Sequence, residues 1–383
     1  MKRFRIRHFF KALAFLIKDK FSLTNVNYKL NPKTLLVVKL DAIGDYLLFR
    51  NFLNDIKQSK KFKQYQITLC GNILWKELAE TLDASSIDTF IWIDKKKFLN
   101  DGAYRRLTLR QIKQKGFEVS FQPTFSREVL TGDSVIEASG AIERIGSGGD
   151  DANEISLLKY FSDGYYTKLF SNNSSVDFEF EKNKLIVEEL IEENIERVQP
   201  ILDYTNNNEE GKLYAILFPG AGEVQKQWPL ERFALIADML KREYNLEIRI
   251  CGAQSDFELG EKIISYCETA DPINLCGKTN LLALVDQISS SRFLFTNDSS
   301  ALHIAACLNI KTVCVLNGRH FGRFAPYPEN MTTSLAFVFP DEMDRLLQND
   351  KDIVVSKTKH NAIASIDSIS VTKVEQALRE MNL

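Results

Sequence analysis

The side chains best suited to chemistry lie in four short polar segments. The first, Asp41-Ala-Ile-Gly-Asp45, directly follows an apolar run at 34–40. Gly44 permits a tight turn there, and Asp45 falls where a helix would begin. A carboxylate in that place can cap the helix, which stabilises it by about 1 kcal/mol, or it can serve as a general base. These residues leave both interpretations open.

The second segment, residues 218–229, combines small residues with one lysine. Gly220 and Gly222 would let backbone N–H groups approach an anion, and Lys226 would add a positive charge. Glutamines on both sides of Lys226 exclude the nucleoside-triphosphate loop, which needs Gly before its Lys and Ser or Thr after it. We expect phosphate contact without triphosphate chemistry; an ordinary turn with an exposed lysine is the alternative.

The third segment, residues 295–303, has capping residues before a helical pattern. Residues 297–300 are rich in capping residues, and the free N–H groups at the start of the helix that follows would bind a pyrophosphate; Asp298 could accept hydrogen bonds from sugar hydroxyls. His303 follows Ser299 by one turn on the same face, and a buried structural histidine is the alternative there. Ser299 with His303 also suggests a hydrolase pair, but no G-x-S-x-G elbow surrounds the serine.

The fourth segment, residues 317–327, gathers positive charge. Arg319, His320 and Arg323 follow another apolar run. A solvated loop is the plain interpretation. Since three anion-friendly loops follow strands of one predicted domain, we expect a bound diphosphate. A D-x-D at Asp350–Asp352 lies in a charged stretch, and we expect it at the surface.

Alternating strands and helices position these segments. Apolar runs at 34–40, 66–70, 89–93 and 118–121 predict buried strands separated by helices, and the pattern restarts at 213 after a polar break. We predict an α/β chain of two doubly wound domains facing a cleft. The predicted parts are an arm at 1–32, domains at 33–204 and 213–365, a linker at 205–212 and a terminal helix at 366–383.

Composition excludes several classes of protein. The 383 residues have a net charge of −2, which gives no case for nucleic acid binding. Six cysteines include no C-x-x-C pair and lie mostly in apolar runs, so we expect buried free thiols rather than a zinc site or disulfides. No apolar run reaches 18 residues, so we expect no membrane span and a cytoplasmic location.

The first twenty residues are strongly basic, unlike the nearly neutral chain as a whole. Seven Lys or Arg stand against Asp19 alone, among many aromatic and aliphatic residues. Lys18 ends the apolar run at 12–17 too early for a secretory signal. The segment is typical of peripheral contact with an anionic membrane, at about 1 kcal/mol per Lys or Arg. A helix packed on its own domain, with a solvated basic face, is the alternative.

The ordered motifs resemble glycosyltransferase family 9, the heptosyltransferase-like enzymes of lipopolysaccharide assembly. Phe218-Pro-Gly-Ala with Lys226-Gln-Trp-Pro229 resembles that family's P-G-(A/S)…K-x-W-P block, and Asn297–His303 resembles its N-D-(S/T)-G-x-x-H block. The other resembling segments are 36–45, 139–146, 323–327 and 369–374. Each motif is weak alone, but their order matches the family.

The resemblance implies a GT-B fold and an inverting, metal-independent transfer of heptose or another sugar from a nucleotide-diphosphate sugar to a lipid-linked acceptor such as lipopolysaccharide core. Asp45 would be the base, in a loop with Lys39 and Gly44. The implied diphosphate-binding residues are Lys226, Ser299, Ser300, Gly220 and Gly222. The implied residues for the donor sugar and nucleotide are Asp298, His303, Gln254, Arg319 and His320. No metal or other cofactor is implied.

Three departures from the family pattern bear on the donor. Ser300 replaces the family's glycine, Gln254 stands where heptosyltransferases often have a ribose-binding Glu, and residues 317–320 replace a G-P-T-D-like turn. ADP-heptose is therefore one candidate donor among several. The alternatives are another GT-B nucleotide-sugar enzyme, such as a 2-epimerase, and a degenerate protein that only binds a nucleotide sugar or glycan.

Overall fold

The computed structural model describes residues 2–171, 177–204, 213–359 and 361–382. The chain divides into two compact units. Unit 1 comprises Met1–Val176 with Phe180–Glu196, and unit 2 comprises Asp177–Glu179 with Arg197–Leu383. The predicted linker at 205–212 lies outside the described residues.

Unit 1 contains a parallel sheet of six strands in the order β3-β2-β1-β4-β5-β6. The strands are β1 (Asn31–Lys39), β2 (Gln66–Asn72), β3 (Thr89–Ile93), β4 (Phe117–Gln122), β5 (Glu143–Ser147) and β6 (Lys168–Phe170). The run 35–39 at the centre of the sheet is fully buried, because helices cover both faces of a doubly wound sheet. Its continuous apolar pattern made β1 the clearest prediction in this unit.

The helices of unit 1 connect these strands. They are α1 (Lys2–Leu23), α2 (Ile43–Leu47), α3 (Asn51–Gln58), α4 (Lys76–Leu82), α5 (Lys95–Asn100), α6 (Gly102–Lys115), α7 (Ser134–Ser139), α8 (Ser156–Asp163) and α9 (Glu179–Ile191), which begins in unit 2. The Asp101 carboxylate caps α6 by accepting from the N–H groups of Ala103 and Tyr104. Gly116 ends α6 at φ +62°, where a Cβ would lie 1.9 Å from the Lys29 carbonyl oxygen.

Helix α1 packs on unit 1 by one face. Ala12 is fully buried, and Phe9, Phe15 and Leu16 pack beside it. Asp19 pairs with the buried Arg105 of α6, with 2.9 Å between Nε and Oδ2 and 2.7 Å between Nη2 and Oδ2. Packing of the arm on its own domain, one of the two interpretations above, is therefore confirmed for this face.

Unit 2 contains a second parallel sheet, in the order β12-β11-β10-β7-β8-β9. Its strands are β7 (Tyr214–Phe218), β8 (Glu247–Ile250), β9 (Ile273–Asn274), β10 (Phe293–Asn297), β11 (Thr312–Val315) and β12 (Leu335–Val338). Trp228, Phe233 and Phe295 meet edge-on or tilted in the core, with ring centroids 4.8–5.7 Å apart.

The helices of unit 2 are α10 (Leu230–Tyr244), α11 (Phe257–Tyr266), α12 (Leu281–Ser290), α13 (Ser300–Cys307), α14 (Asp341–Asn349), α15 (Lys351–Thr358) and α16 (Val371–Glu380). Val374 and Leu378 of α16 are buried in the core of this unit. Asp350 caps α15 by accepting from the Ile353 N–H. Asp350 and Asp352 are both exposed, as expected for the two carboxylates of the D-x-D.

Two doubly wound sheets confirm the predicted fold class. The helix expected at Asp45 is in fact two short helices, α2 and α3, separated by a turn at 48–50. All six cysteines are thiols outside any disulfide, and all but Cys267 are buried, which confirms the expected buried thiols. Within the described ranges, no helix has the length and apolar character needed to cross a bilayer.

Candidate active site

The predicted site residues follow the carboxyl ends of strands. In unit 1 the loop with Asp45 follows β1, which neighbours β4. In unit 2 the loop with Lys226 follows β7, and Asp298 follows the neighbouring β10. Each pair of strands flanks the point where the strand order reverses, which is where open α/β sheets bind their ligands.

Asp45 is the third residue of α2. The residue in the capping position is Ala42, so the interpretation of Asp45 as the helix cap is wrong. The Asp45 carboxylate is partly exposed and lies in the first turn, where a negative charge is favourable. Burial lowers the pKa of Lys95, but the charges of Glu128, Asp41 and Asp45 more than offset it and raise that pKa overall.

Lys39 and Asp41 stabilise the short connection between β1 and α2, which precedes Asp45. Lys39 is completely buried, and its Nζ lies 2.9 Å from Asp41 Oδ2. The Thr124 hydroxyl donates to the same carboxylate at 2.6 Å. Burial raises the pKa of Asp41, but the Lys39 charge and the Thr124 hydrogen bond outweigh it, so the pKa is lowered overall. Asp41, which the sequence did not single out, is thus a structural carboxylate.

Trp75 packs against α2 and the residues before it. The Trp75 indole N–H donates to the Asp41 carbonyl oxygen at 3.2 Å. Tyr46 stacks on Trp75 with ring centroids 4.2 Å apart, and its hydroxyl donates to the buried Asp83. These contacts leave the turn that carries Asp45 little freedom.

In unit 2, Lys226 and Asp298 form an ion pair. Lys226 Nζ lies 2.5 Å from Asp298 Oδ2, and each side chain is 17% exposed. The sequence placed both residues at the donor but did not predict that they pair. A diphosphate bound by Lys226 would compete with the Asp298 carboxylate for the same ammonium group.

Asn297 holds the Lys226 loop against β10. Its side-chain N–H donates to the Pro219 carbonyl oxygen at 2.6 Å, and its Oδ1 accepts from the Trp228 N–H at 3.1 Å. Asn297 is fully buried, and its amide is one group that both donates and accepts. No role was predicted for Asn297 from the sequence; its place directly before Asp298 at the strand end was the available signal.

Ser299 and Ser300 begin α13. Ser299 is the capping residue: its hydroxyl accepts from the Ala301 N–H at 3.3 Å and lies 2.9 Å from the Thr296 hydroxyl. Both serines are partly exposed. The positive end of the helix dipole therefore lies next to the Lys226–Asp298 pair, which suits an anion.

Gly220, Gly222 and Gln254 have different surroundings. A Cβ on Gly220 would lie 2.5 Å from Asp256 Oδ2, so the small residue is required by the chain's own carboxylate. Gly222 faces open space, since a Cβ placed on it would have no atom of the described residues within 4 Å. Gln254 begins the exposed helical turn Gln254–Asp256 and approaches Gly277, where φ is +72°.

His303 is buried in unit 2. Its Nδ1 lies 2.8 Å from the Tyr327 hydroxyl, and the ring is 5% exposed. Burial lowers the pKa of His303 to about 4, with Asp298 and Lys226 acting in opposite directions on it. The imidazole is therefore neutral at neutral pH, which favours the structural alternative over a catalytic one.

The basic residues of the fourth segment meet carboxylates. Arg319 pairs with Glu223, and Arg323 Nε donates to Glu179 Oε2 at 2.9 Å. The Arg319 Nε atom is buried and has no hydrogen-bond partner in the described part of the chain. His320 has φ +58°, and its pKa is lowered by burial and by Arg319 and Lys226. Positive charge is thus concentrated beside Lys226 as predicted, but Glu223 was not foreseen.

No group of three or more His, Cys, Asp or Glu suited to a metal ion occurs among the residues that the structure describes. In unit 2, Lys226, Arg319 and the N-terminal end of α13 supply positive charge near Asp298; we call these groups, with Asp298, the unit 2 cluster.

Comparison with known proteins relates this cluster to one family. The family model for glycosyltransferase family 9 (heptosyltransferase) matches residues 166–346, which include Lys226 and Asp298 but not Asp45. The lipooligosaccharide heptosyltransferase 2 of Haemophilus influenzae is 29% identical over 135 residues, which cover 33% of this chain and 37% of that protein. The match thus spans about a third of this curated relative's length.

Solved structures resemble the whole fold. A family 9 glycosyl transferase from Veillonella parvula has a TM-score of 0.70 at 19% identity, covering 92% of this chain and 97% of its own. Heptosyltransferase WaaC of Escherichia coli, solved with ADP-2-deoxy-2-fluoro heptose, has a TM-score of 0.67 at 14% identity, covering 91% and 99%. The predicted GT-B fold of two Rossmann-like units is confirmed.

Proposed function

From its confirmed resemblance to glycosyltransferase family 9, we propose that this chain transfers a sugar from a nucleotide-diphosphate donor to a lipid-linked glycan such as lipopolysaccharide core. The observation that carries the proposal is the Lys226–Asp298 pair at the carboxyl ends of β7 and β10, inside the matched region. It unites a cation for the diphosphate with a carboxylate for sugar hydroxyls at the place where this fold binds ligands.

The donor half of the mechanism belongs to unit 2. Lys226 neutralises the charge that develops on the departing diphosphate, and the N–H groups of Ser299 and Ser300 donate to its oxygens. Asp298, released from Lys226, accepts hydrogen bonds from the donor sugar. WaaC and the heptosyltransferase relatives make an ADP-heptose the first donor to test. Ser300 and Gln254 keep other sugars open.

The acceptor half belongs to Asp45. Its carboxylate takes the proton of the acceptor hydroxyl while that oxygen attacks the anomeric carbon, and the bond from this carbon to the diphosphate oxygen breaks with its electron pair. Attack opposite the leaving group inverts the anomeric configuration. The positive charge needed at the leaving group comes from Lys226, so the mechanism assigns no step to a metal.

The same comparison supports a lipid-linked acceptor and a location at a membrane. Lipopolysaccharide core is built on a lipid, so we place the enzyme at the cytoplasmic face of a membrane. The basic segment 1–20 supports peripheral contact there.

Thermal unfolding with a panel of ADP-, GDP-, UDP- and CMP-sugars tests the donor site without requiring an acceptor. A ligand at 100 times its Kd adds about 2.7 kcal/mol, which raises the unfolding midpoint by about 3 °C in a chain of 383 residues. One nucleotide class should shift wild type and not Lys226→Ala. Binding followed by transfer to a lipid-linked glycan supports the proposal. An epimerised nucleotide sugar formed without acceptor would contradict it.

A further inference from the structure

Helix α1 has two apolar faces, and only one is used by unit 1. The inner face buries Ala12 beside Leu130 and Leu158, with Phe9 and Leu16 packed against them. The outer face carries Phe10, Leu13, Ile17 and Phe21, all exposed; Phe10 is 63% exposed and Phe21 78%. At 100° per residue these four side chains fall within an arc of about 80°, which makes a continuous stripe. We call it the outer stripe.

The charges of α1 are sorted between its faces. Asp19, the one acid of the helix, points inward and binds Arg105 through a bidentate contact. Lys11, Lys18 and Lys20 are exposed. On the helical projection Lys20 borders one side of the outer stripe and Lys11 and Lys18 the other. The outward face is therefore apolar at its centre and cationic at its margins.

Helix α8 adds a second apolar area close to α1. Its Leu158 packs in the same cluster as Ala12, so both helices rest on the helical turn Val129–Asp133. Leu157, Tyr160 and Phe161 of α8 are exposed, Tyr160 by 75%. A tyrosine beside aliphatic and phenylalanine side chains is typical of the boundary between headgroups and acyl chains.

We propose that the outer stripe, together with Leu157, Tyr160 and Phe161, is the surface by which unit 1 docks on an anionic lipid bilayer. Helix α1 lies in the plane of the interface, its stripe among the upper acyl chains and its lysines at the phosphates. The charge pattern selects this occupant, because a second copy of the same face would oppose lysines to lysines. The inference rests on the proposed function for its lipid-linked acceptor and names the residues that make the contact.

Vesicle co-sedimentation of the full chain tests the surface. We expect binding to vesicles of phosphatidylglycerol and phosphatidylcholine at a ratio of 3:7, and little binding to phosphatidylcholine alone. The variant Phe10→Ser/Ile17→Ser/Phe21→Ser should lose binding by 100-fold or more, since each fully buried apolar side chain contributes roughly tenfold. Lys18→Glu should lose at least fivefold, and added salt should weaken wild type.

A matched variant controls for hydrophobicity as such. Leu235, Tyr266 and Ile353 are three exposed apolar residues of unit 2, each 43–49% exposed, and changing all three to Ser should leave vesicle binding unchanged. Equal circular dichroism and unfolding midpoints of all variants would show that the chains are folded.

Three results would overturn the proposal: the α1 variant binds like wild type, the unit 2 variant loses binding equally, or light scattering shows a dimer that the α1 variant abolishes. The last result would assign the stripe to a second copy. Because the assay contains neither donor nor acceptor, its failure leaves the donor shift of Lys226 intact, and a failed donor shift leaves vesicle binding intact.

Discussion

Lys226 Nζ and Asp298 Oδ2 lie 2.5 Å apart, so the cation proposed for the donor diphosphate already has a carboxylate partner. Loss of that partner should strengthen binding of a ligand that has phosphates but no sugar. We expect Asp298→Asn to bind ADP several-fold more tightly and to transfer sugar more slowly. Lys226→Ala should bind ADP at least tenfold more weakly, a loss of about 1.4 kcal/mol. Titration calorimetry with ADP measures both, and weaker ADP binding by Asp298→Asn would contradict the competition.

Glu223 should oppose the same ligand through Arg319. We expect Glu223→Gln to tighten binding of ADP two- to fivefold, because it frees a guanidinium whose Nε already lacks a partner among the described residues. Arg249 and Glu247 form a matched control, with side chains 26% and 45% exposed against 27% and 47% for Arg319 and Glu223. Glu247→Gln should leave the calorimetric Kd unchanged. An equal effect of both changes would mean that only net charge matters.

Asp41 and Asp45 both follow β1, but we expect their substitutions to have different effects. Asp45→Asn should reduce the transfer rate by at least 100-fold with unchanged donor binding, because an amide cannot take the proton of the acceptor hydroxyl. Asp41→Asn removes the carboxylate that lies 2.9 Å from the buried Lys39 ammonium group and should destabilise the chain by on the order of 3 kcal/mol. Turnover assays and urea unfolding separate the two. Full turnover in Asp45→Asn would eliminate the proposed base.

His303 predicts an acid-sensitive unit 2. Its folded pKa of about 4 lies below the ordinary value of 6.5, so the unfolded chain takes up a proton first as the pH falls. The stability that neutral His303 contributes is complete above pH 6.5 and is lost between pH 6.5 and 4, by roughly 3 kcal/mol. Urea midpoints at pH 7 and 4.5 should therefore differ more for wild type than for His303→Gln. Identical pH dependence would show that His303 charges freely in the folded chain.

Arg105 and Asp19 should decide whether α1 stays on unit 1. Asp19→Asn leaves a buried guanidinium partly uncompensated, a change that costs on the order of 3 kcal/mol for buried pairs. We expect trypsin to cleave α1 much faster in Asp19→Asn, because a detached helix exposes its many Lys and Arg bonds. Lys18→Glu, on the same helix but exposed, should cleave no faster than wild type. Equal rates for Asp19→Asn and wild type would mean that apolar packing alone holds α1.

The sequence by itself determined the two sheets and the segments that follow their central strands. Continuous apolar runs such as 35–38 are typical of central parallel strands buried on both faces, and loops after such strands meet at one sheet edge. Local pattern therefore located Asp45, Lys226, Asp298 and Ser299 in their correct loops. It did not locate β6, because a strand of three residues carries too little periodicity.

Tertiary structure alone decided which side chains meet. Residues 72 positions apart form the Lys226–Asp298 pair, Glu223 reaches Arg319, and the buried Asn297 amide binds Pro219 and Trp228. In the sequence, Asp19 is the one acid of a basic arm. In the structure, it forms an ion pair with the buried Arg105. Such pairings depend on distances between segments that are remote in sequence, and folding sets those distances through the packing of whole sheets and helices. The local sequence pattern shows which side chains are present in each segment. Only the packing of the folded chain brings particular side chains within hydrogen-bond or ion-pair distance.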